Sequence, residues 1–591
     1  MCAVSPYFAY RSFWKEPAAK RRFAAAGVKQ FCVFAGNTVN SLGEPYCQYE
    51  PIWKWWDTYD FKPFDEQMQD TLDICPEAEI LCIVDLNSPL WLARQLTFDS
   101  YPQLSVAVAN DRWRQATEKY LTALVDHAQK KYSDHIVCFI MMCGVTDEWM
   151  DYCHGQESPE KLRLFQAWAR DCHLPVPEDI PGIGARFAAP RLDGALRDPA
   201  LNRDAVQYWR FTSDLIANAI CQFAALIDAR RRPGQEIGVF YGYILELTGG
   251  RLVQCGHLAY EKVEASPQID FVISPGDYGD RAMGGGSGFM TPNGTVHVHG
   301  KNCLYEIDHR THTANMQLTE HVALPWMNAW KNTAEDIAGL RREFCRALFH
   351  GASLWWFDMW GGFYDDPDVM QAIADLLPLW RQYADRRRQP QAEVALIVDP
   401  DSTALVNDQH PVLSGKLYNG LHMALNRLGA PFVVHSFGDL PKINAAAFKL
   451  VILAGLIELP PEKRAVLDRC LTAGGPARLW IGPSALTDGA SWGQQPLAAP
   501  HCPDVAAVTP ALLRQYAQAA GVHIFLPDYT PVWADGDLLM VHVAEGGART
   551  ITLPRHAKTA REIFSGATIT VDANHFSYTF NTPETALFAL N

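Results

Sequence analysis

A chain of 591 residues is longer than one hydrophobic core supports, which points to three or four folded units. Hydrophobic residues make up 48% and charged residues 20%, a balance that excludes a disordered chain. The net charge of −15 excludes a protein that tracks nucleic acid through a basic surface, and no stretch approaches 18 consecutive apolar residues to span a membrane.

The opening MCAVSPYFAYRSFWKEP lacks the charged region, apolar run and cleavage site of a signal peptide. Fifteen Cys lie at irregular spacings with no CxxC pair, as expected of reduced thiols in a cytoplasmic protein.

From Val4 to about Arg388, short apolar runs alternate with helical segments. The runs are Val4–Ala9, Gln30–Ala35, Ile80–Val84, Ile136–Cys143, Ile237–Tyr243, Phe271–Ser274, Asn302–Glu306 and Ser353–Asp358. Helical segments such as 112–131 and 204–230 lie between them; in the second, Val206, Trp209, Leu215, Ile216, Ala219, Ile220 and Phe223 form one apolar stripe. Eight buried strands alternating with helices predict a (β/α)8 barrel over residues 1–388. The competing open doubly wound sheet lacks a GxGxxG after any early strand.

Arg386-Arg387-Arg388-Gln389-Pro390 then reads as a linker. Residues 392–505 predict a smaller α/β unit, with strands at Val394–Val398, Phe432–His435, Lys449–Leu453 and Arg478–Ile481 and a helix at Glu462–Thr472 stopped by Gly474-Gly475. Residues 525–591 alternate as strands at Leu538–Val543, Thr550–Leu553, Thr568–Val571 and Ser577–Phe580, which predicts a small β-sandwich.

Chemistry in such a barrel collects where strands end. Strand four runs into Gly144-Val-Thr-Asp147-Glu148-Trp149, and strand seven into Tyr305-Glu306-Ile-Asp308-His309-Arg310-Thr311. Cleaving a glycosidic bond with retention takes two carboxyl groups roughly 5–5.5 Å apart, one to protonate the leaving oxygen and one to attack the anomeric carbon. Strands four and seven face each other across a barrel mouth, so Glu148 and Glu306 are the candidate acid/base and nucleophile. The plain alternative for either one is a solvated or Arg-paired surface carboxylate; its occurrence at both strand ends weighs against that alternative.

These residues resemble clan A glycoside hydrolases, and family 42 β-galactosidases most closely. In that clan the acid/base follows an Asn at the end of strand four and the nucleophile ends strand seven, the places taken here by Asp147-Glu148 and Tyr305-Glu306. The likeness extends to Phe165-Gln-Ala-Trp168 and Tyr208-Trp-Arg210-Phe211-Thr-Ser-Asp214 after strand four, and to Leu354-Trp355-Trp356-Phe357-Asp358-Met359-Trp360-Gly361 at strand eight. It implies an amidotransferase-like second domain that forms a homotrimer, and a small third β-domain.

The resemblance also implies roles for neighbours. Asp147 stands where the clan's Asn contacts the sugar 2-hydroxyl, and an ionised Asp accepts but does not donate. Tyr278 sits where a Tyr bonds the nucleophile, with Tyr243 as the alternative. Trp355, Trp356 and Trp360 are candidates for a stacking platform, and Trp326 and Trp330 for the rim; core packing is the alternative for each. Arg11, Asn37 and Asp85 close strands one to three, where polar residues bind hydroxyls or serve as ion pairs and caps.

His297, His299, His309, His312 and His321 lack a paired Cys or carboxylate at ligand spacing, and Cys143, Cys153 and Cys172 lack the short spacing of a zinc cluster, so no metal or cofactor is expected. The second domain's elbow, Gly455-Leu-Ile-Glu458, carries no Cys nucleophile, and Cys470 lies in a helix pattern. The resemblance implies an exo-acting retaining β-glycosidase of β-galactosidase type. Alternatives are a β-mannosidase like those of family 164, a transglycosidase, or a sugar-binding protein without catalysis.

Overall fold

In the computed structural model, residues 5–152, 157–248, 251–317, 329–472, 474–497 and 499–591 are described. Eight parallel strands close into a barrel: β1 Phe8–Ser12, β2 Gln30–Ala35, β3 Glu79–Asp85, β4 Ile136–Met142, β5 Glu236–Phe240, β6 Phe271–Pro275, β7 Asn302–Ile307 and β8 Ser353–Asp358. Each pairs with its sequence neighbours, and β8 returns to β1 with Phe8 opposite Leu354. The strands are buried on both faces, which is why they read as continuous apolar runs.

The first strand begins four residues later than its apolar pattern predicts, and so contains Arg11. A buried guanidinium is tolerated inside a strand only where a carboxylate meets it, and Glu306 of β7 does so. Only the tertiary fold supplies that partner.

The excursion after β4 is held by the aromatic segments already noted. Ser158 caps the helix Pro159–Asp171 by accepting from Lys161 N–H, and Phe165 of this helix stacks on Phe211 of the helix Arg203–Asp228 at 4.9 Å.

A second sheet is wholly parallel, in the order β10-β9-β11-β12-β13, with β9 Val394–Val398, β10 Phe432–Ser436, β11 Leu450–Ala454, β12 Ala477–Ile481 and β13 His501–Cys502. After β11 the chain turns through Gly455, at φ +62°, to Glu458, which accepts from Arg210 of the barrel at 2.5 Å. The elbow is thus filled by an ion pair between barrel and sheet, and Cys470 ends the helix Pro461–Cys470.

The C-terminal sheet is antiparallel, in the order β14-β15-β18-β16-β17: β14 Val532–Ala534, β15 Leu538–Val543, β16 Gly547–Glu562, β17 Thr568–Phe580 and β18 Glu584–Leu590. The two segments expected at 568–571 and 577–580 are one strand, because alternation continues through the polar middle. The register of β16 against β17 shifts between Thr552 and Thr559. Ile551, Leu553, Phe576 and Phe580 share a core with Val541 and Phe588, and the domain is a single five-stranded sheet in place of the two-sheet sandwich expected.

Candidate active site

Glu148 is carried on a turn that few sequences adopt. Gly144, Thr146, Asp147 and Trp149 all have positive φ, at 72°, 57°, 62° and 58°. For Thr, Asp and Trp each such conformation costs about 1–2 kcal/mol, so the surroundings must enforce it. They do. Trp149 is fully buried and its indole N–H donates to Met141 O at 3.0 Å, while its backbone N–H bonds Cys143 O at 2.6 Å. Position 144 needs Gly twice over, since a Cβ would lie 2.6 Å from Met150 O.

His257 fixes the turn from the other side. Its Nδ1 accepts from the backbone N–H groups of Gly242 and Tyr243 at 3.2 and 3.3 Å, so Nε2 carries the proton and donates to Glu148 O at 2.9 Å. Burial pulls the imidazole down to about 3, and it stays neutral. The Glu148 carboxyl then accepts from Thr146 Oγ1 at 2.5 Å and from Tyr243 OH at 3.1 Å.

Glu306 ends β7 in register with Trp355 of β8. The Trp355 indole N–H donates to Glu306 Oε2 at 2.8 Å, and Arg11 forms an ion pair with the same oxygen. The Arg11 guanidinium lies 4.0 Å over the Phe357 ring, which holds its plane toward the carboxylate.

Both carboxyls line one pocket, with about 700 Å³ of open space, walled by Arg11, Phe13, Tyr46, Phe240, Tyr278, Arg310, Phe357, Met359 and Trp360. Their environments differ. Burial raises Glu148 to about 7, with the Asp308 charge adding to it; the Arg11 charge opposes from a distance, and no cation among the described residues forms an ion pair with it. Burial also raises Glu306, and the neighbouring Asp308 and Glu148 charges push the same way, but Arg11 and the Trp355 N–H favour its ionised form. One proton suits the pair near neutrality; burial lifts Glu306 to about 8, no lower than Glu148, so it is the contacts of Arg11 and the Trp355 N–H with Glu306, and not the two pKa values, that favour the proton on Glu148.

Behind Glu306 lies a second buried ion pair. Arg281 donates to Asp308 Oδ1 at 2.5 Å and Tyr278 OH donates to Oδ2 at 2.5 Å. Burial opposes ionisation of Asp308, but Arg281 and Tyr278 outweigh it and hold the carboxyl below its ordinary value. Asp308 and Arg310 belong to the site although only Glu306 stood out in sequence. They lie two and four residues past Glu306, but beyond Ile307, where the strand ends, so alternation alone does not place them on its side.

The structure brings Glu148, Glu306, Arg11, Tyr278 and Trp360 to the pocket wall, with Trp355 beneath it. It corrects the other expectations. Tyr278 bonds Asp308, not Glu306, and Tyr243 serves Glu148. Trp355 is wholly buried and braces Glu306 by its N–H, so it offers no stacking face. Trp356 points away from the pocket and packs on Phe8, as alternation on β8 requires. Trp330 is buried against His309 and donates to Arg281 O at 3.0 Å. Asn37 donates to Asp85 O and to Tyr120 OH, and Asp85 accepts from the backbone of Asn37 and Asn87, so both tie loops together beneath the site. Trp326, His321 and Cys153 lie outside the described residues.

Asp147 is also turned away from the pocket. It is fully buried, its Oδ1 accepts from Asn87 Nδ2 at 2.6 Å, and its Oδ2 has no partner among the described residues. Burial first, and then the Asp85 charge, raise its carboxyl well above the ordinary value. A raised acid costs the folded state nothing below about pH 4 and progressively more as the unfolded chain ionises above it. Asp147→Asn should therefore raise the melting temperature, by a margin that grows from pH 4 to 8, helped by the tolerance of Asn for positive φ. A margin independent of pH, in paired thermal melts, would mean that Asp147 is ionised in the folded protein.

Among the described residues no group of three His, Cys, Asp or Glu could hold a metal ion, and no helix is long and apolar enough to cross a membrane. His297 bonds His350 O, His299 bonds Asp439 and His312 bonds Asp336.

No family model matches the chain, and no curated protein matches its sequence. Solved structures match it along its whole length. A β-galactosidase from Bacillus circulans sp. alkalophilus superposes with a TM-score of 0.67 at 12% identity, covering 100% of this chain and 99% of that one. Gan42B, a GH42 β-galactosidase from G. stearothermophilus, gives 0.63 at 10% identity over 99% and 98%. An α-L-fucosidase isoenzyme 2 from Paenibacillus thiaminolyticus gives 0.57 at 10% over 99% of each chain. The chain has the fold of the GH42 β-galactosidases.

Proposed function

We propose that this chain is a retaining exo-β-glycosidase, which removes a terminal hexose from an oligosaccharide or glycoside, in the manner of a β-galactosidase. The observation that carries the reading is the pair of buried carboxyls on β4 and β7 in one pocket, one clamped by Arg11 and Trp355 and the other with no ion-pair partner among the described residues. Glu306 attacks the anomeric carbon while the bond to the leaving oxygen breaks and Glu148 gives that oxygen its proton. Water then attacks the glycosyl ester, Glu148 takes the water's proton, and Glu306 leaves as the carboxylate. Tyr243 and Thr146 keep the Glu148 carboxyl in place through both transfers. Homotrimer assembly, implied by the likeness to family 42, belongs to the same reading.

The test is a panel of 4-nitrophenyl β-glycosides, with the first-formed anomer read by NMR. Release of a β-hexose before mutarotation is the expected result. Release of the α-anomer would mean inversion and would remove the nucleophile role from Glu306.

A further inference from the structure

The loop leaving β7 places in the pocket a cation with no ion-pair partner among the described residues. Arg310 is 3% exposed and lines the same wall as Glu148 and Glu306. Its Nε and Nη2 are buried with no hydrogen-bond partner among the described residues. The other two guanidinium groups nearby are both taken, Arg11 by Glu306 and Arg281 by Asp308. Among the described residues, with Glu148 carrying the proton it must donate, Arg11, Arg281 and Arg310 meet the two carboxylates Glu306 and Asp308, and Asp308, whose charge also bears on Arg310, makes its ion pair with Arg281.

A neighbouring donor is also unused. Trp360 lines the pocket, its ring centre lies 5.7 Å from the Arg310 guanidinium carbon, and its Nε1 is buried with no partner among the described residues. Burying an unpaired cation and an unpaired N–H destabilises a fold, so a site that retains both is built for something that binds there. Both groups donate and neither accepts. A sugar hydroxyl placed between them would leave its own O–H without an acceptor, whereas an oxyanion offers acceptors only and matches the planar fork of Arg.

We propose that the hexose accepted by this pocket carries an anionic substituent, a carboxylate or a sulfate ester, which pairs with Arg310 and takes the indole N–H of Trp360. For turnover this rests on the glycosidase reading; for binding it does not.

Turnover is compared on 4-nitrophenyl β-glucuronide, β-galacturonide and 6-sulfo-β-galactoside against the neutral β-glucoside and β-galactoside. The expected result is a kcat/KM for one acidic glycoside about 10²–10⁴-fold above its neutral parent. The uronide and sulfate arms tell which acid is meant. Arg310→Gln should erase that preference chiefly through KM, bringing the acidic glycoside's kcat/KM down to that of its neutral parent; Arg310→Lys, which keeps charge but not the fork, should fall between. The Arg310→Gln protein should melt no lower than wild type, and a lower melting temperature would mean the guanidinium has a structural partner.

Calorimetric titration of Glu306→Gln, with and without Arg310→Gln, uses free glucuronate, galacturonate, galactose 6-sulfate and galactose. Acid-sugar binding that depends on Arg310, with no glycoside cleaved by wild type, would sink the glycosidase reading and leave the anion site standing. Neutral sugars bound and cleaved as well as acidic ones would overturn the proposal and leave the glycosidase intact.

Discussion

Glu306→Gln is expected to lower kcat on every substrate by on the order of 10⁴–10⁶, as loss of a covalent nucleophile does. The amide keeps the shape of the carboxyl and an acceptor for Trp355, so the loss reports chemistry more than packing. The cost to stability comes from Arg11. It is 2% exposed and would lose the one ionised partner it has among the described residues, and breaking a buried pair from one side costs about 3–5 kcal/mol. Activity and melting must therefore be measured together. Glu306→Gly with added azide discriminates further, because azide entering the vacated space attacks from the nucleophile's face and gives the α-glycosyl azide. Residual activity above one part in about 10³ in folded protein, with no azide adduct, would remove Glu306 from the mechanism.

Glu148→Gln should cost about 10²–10⁴-fold, the usual worth of a general acid, and the cost should depend on the leaving group. A dinitrophenyl glycoside needs no protonation in the first step, so there the fall should appear after the burst, in hydrolysis of the intermediate. The pH profile supplies a second readout. Glu148 must be protonated to act as the acid, and burial lifts it to about 7, so kcat/KM falls as pH rises through that value. Glu306 must be ionised, and burial lifts it to about 8, so the two limbs overlap and only a minor fraction of the enzyme holds the productive pair of states at any pH. Wild type should show a narrow bell near pH 7, and the Gln variant should lose the alkaline limb alone. An alkaline limb that persists in Glu148→Gln would assign it to another group.

Much of this was present in the linear sequence. Eight apolar runs with helices between them declare a parallel barrel, since only strands buried on both faces are continuously apolar. The ends of strands four and seven mark Glu148 and Glu306 because barrel topology puts strand ends at one mouth, whatever the loops do. Where alternation was consulted it held, as for Trp356, which faces the helices while Trp355 faces inward.

What the sequence could not decide was which polar residues near a strand end face the pocket. Asn37, Asp85 and Asp147 are as polar as Arg11, yet Asn37 and Asp85 bond each other, while the positive-φ turn at Thr146–Asp147 carries Asp147 to Asn87 and away from the pocket. Asp308 and Arg310 lie on the far side of β7's end, where strand parity is no longer guaranteed, and only the fold shows that Arg281 answers the first and nothing among the described residues answers the second. The strand pattern and the identities of the two carboxyls are local properties, written in spacing and residue type. Pairing is not local, because the partner of a buried carboxyl arrives from far along the chain, as Arg11 does at Glu306 from 295 residues away and Tyr243 at Glu148 from 95.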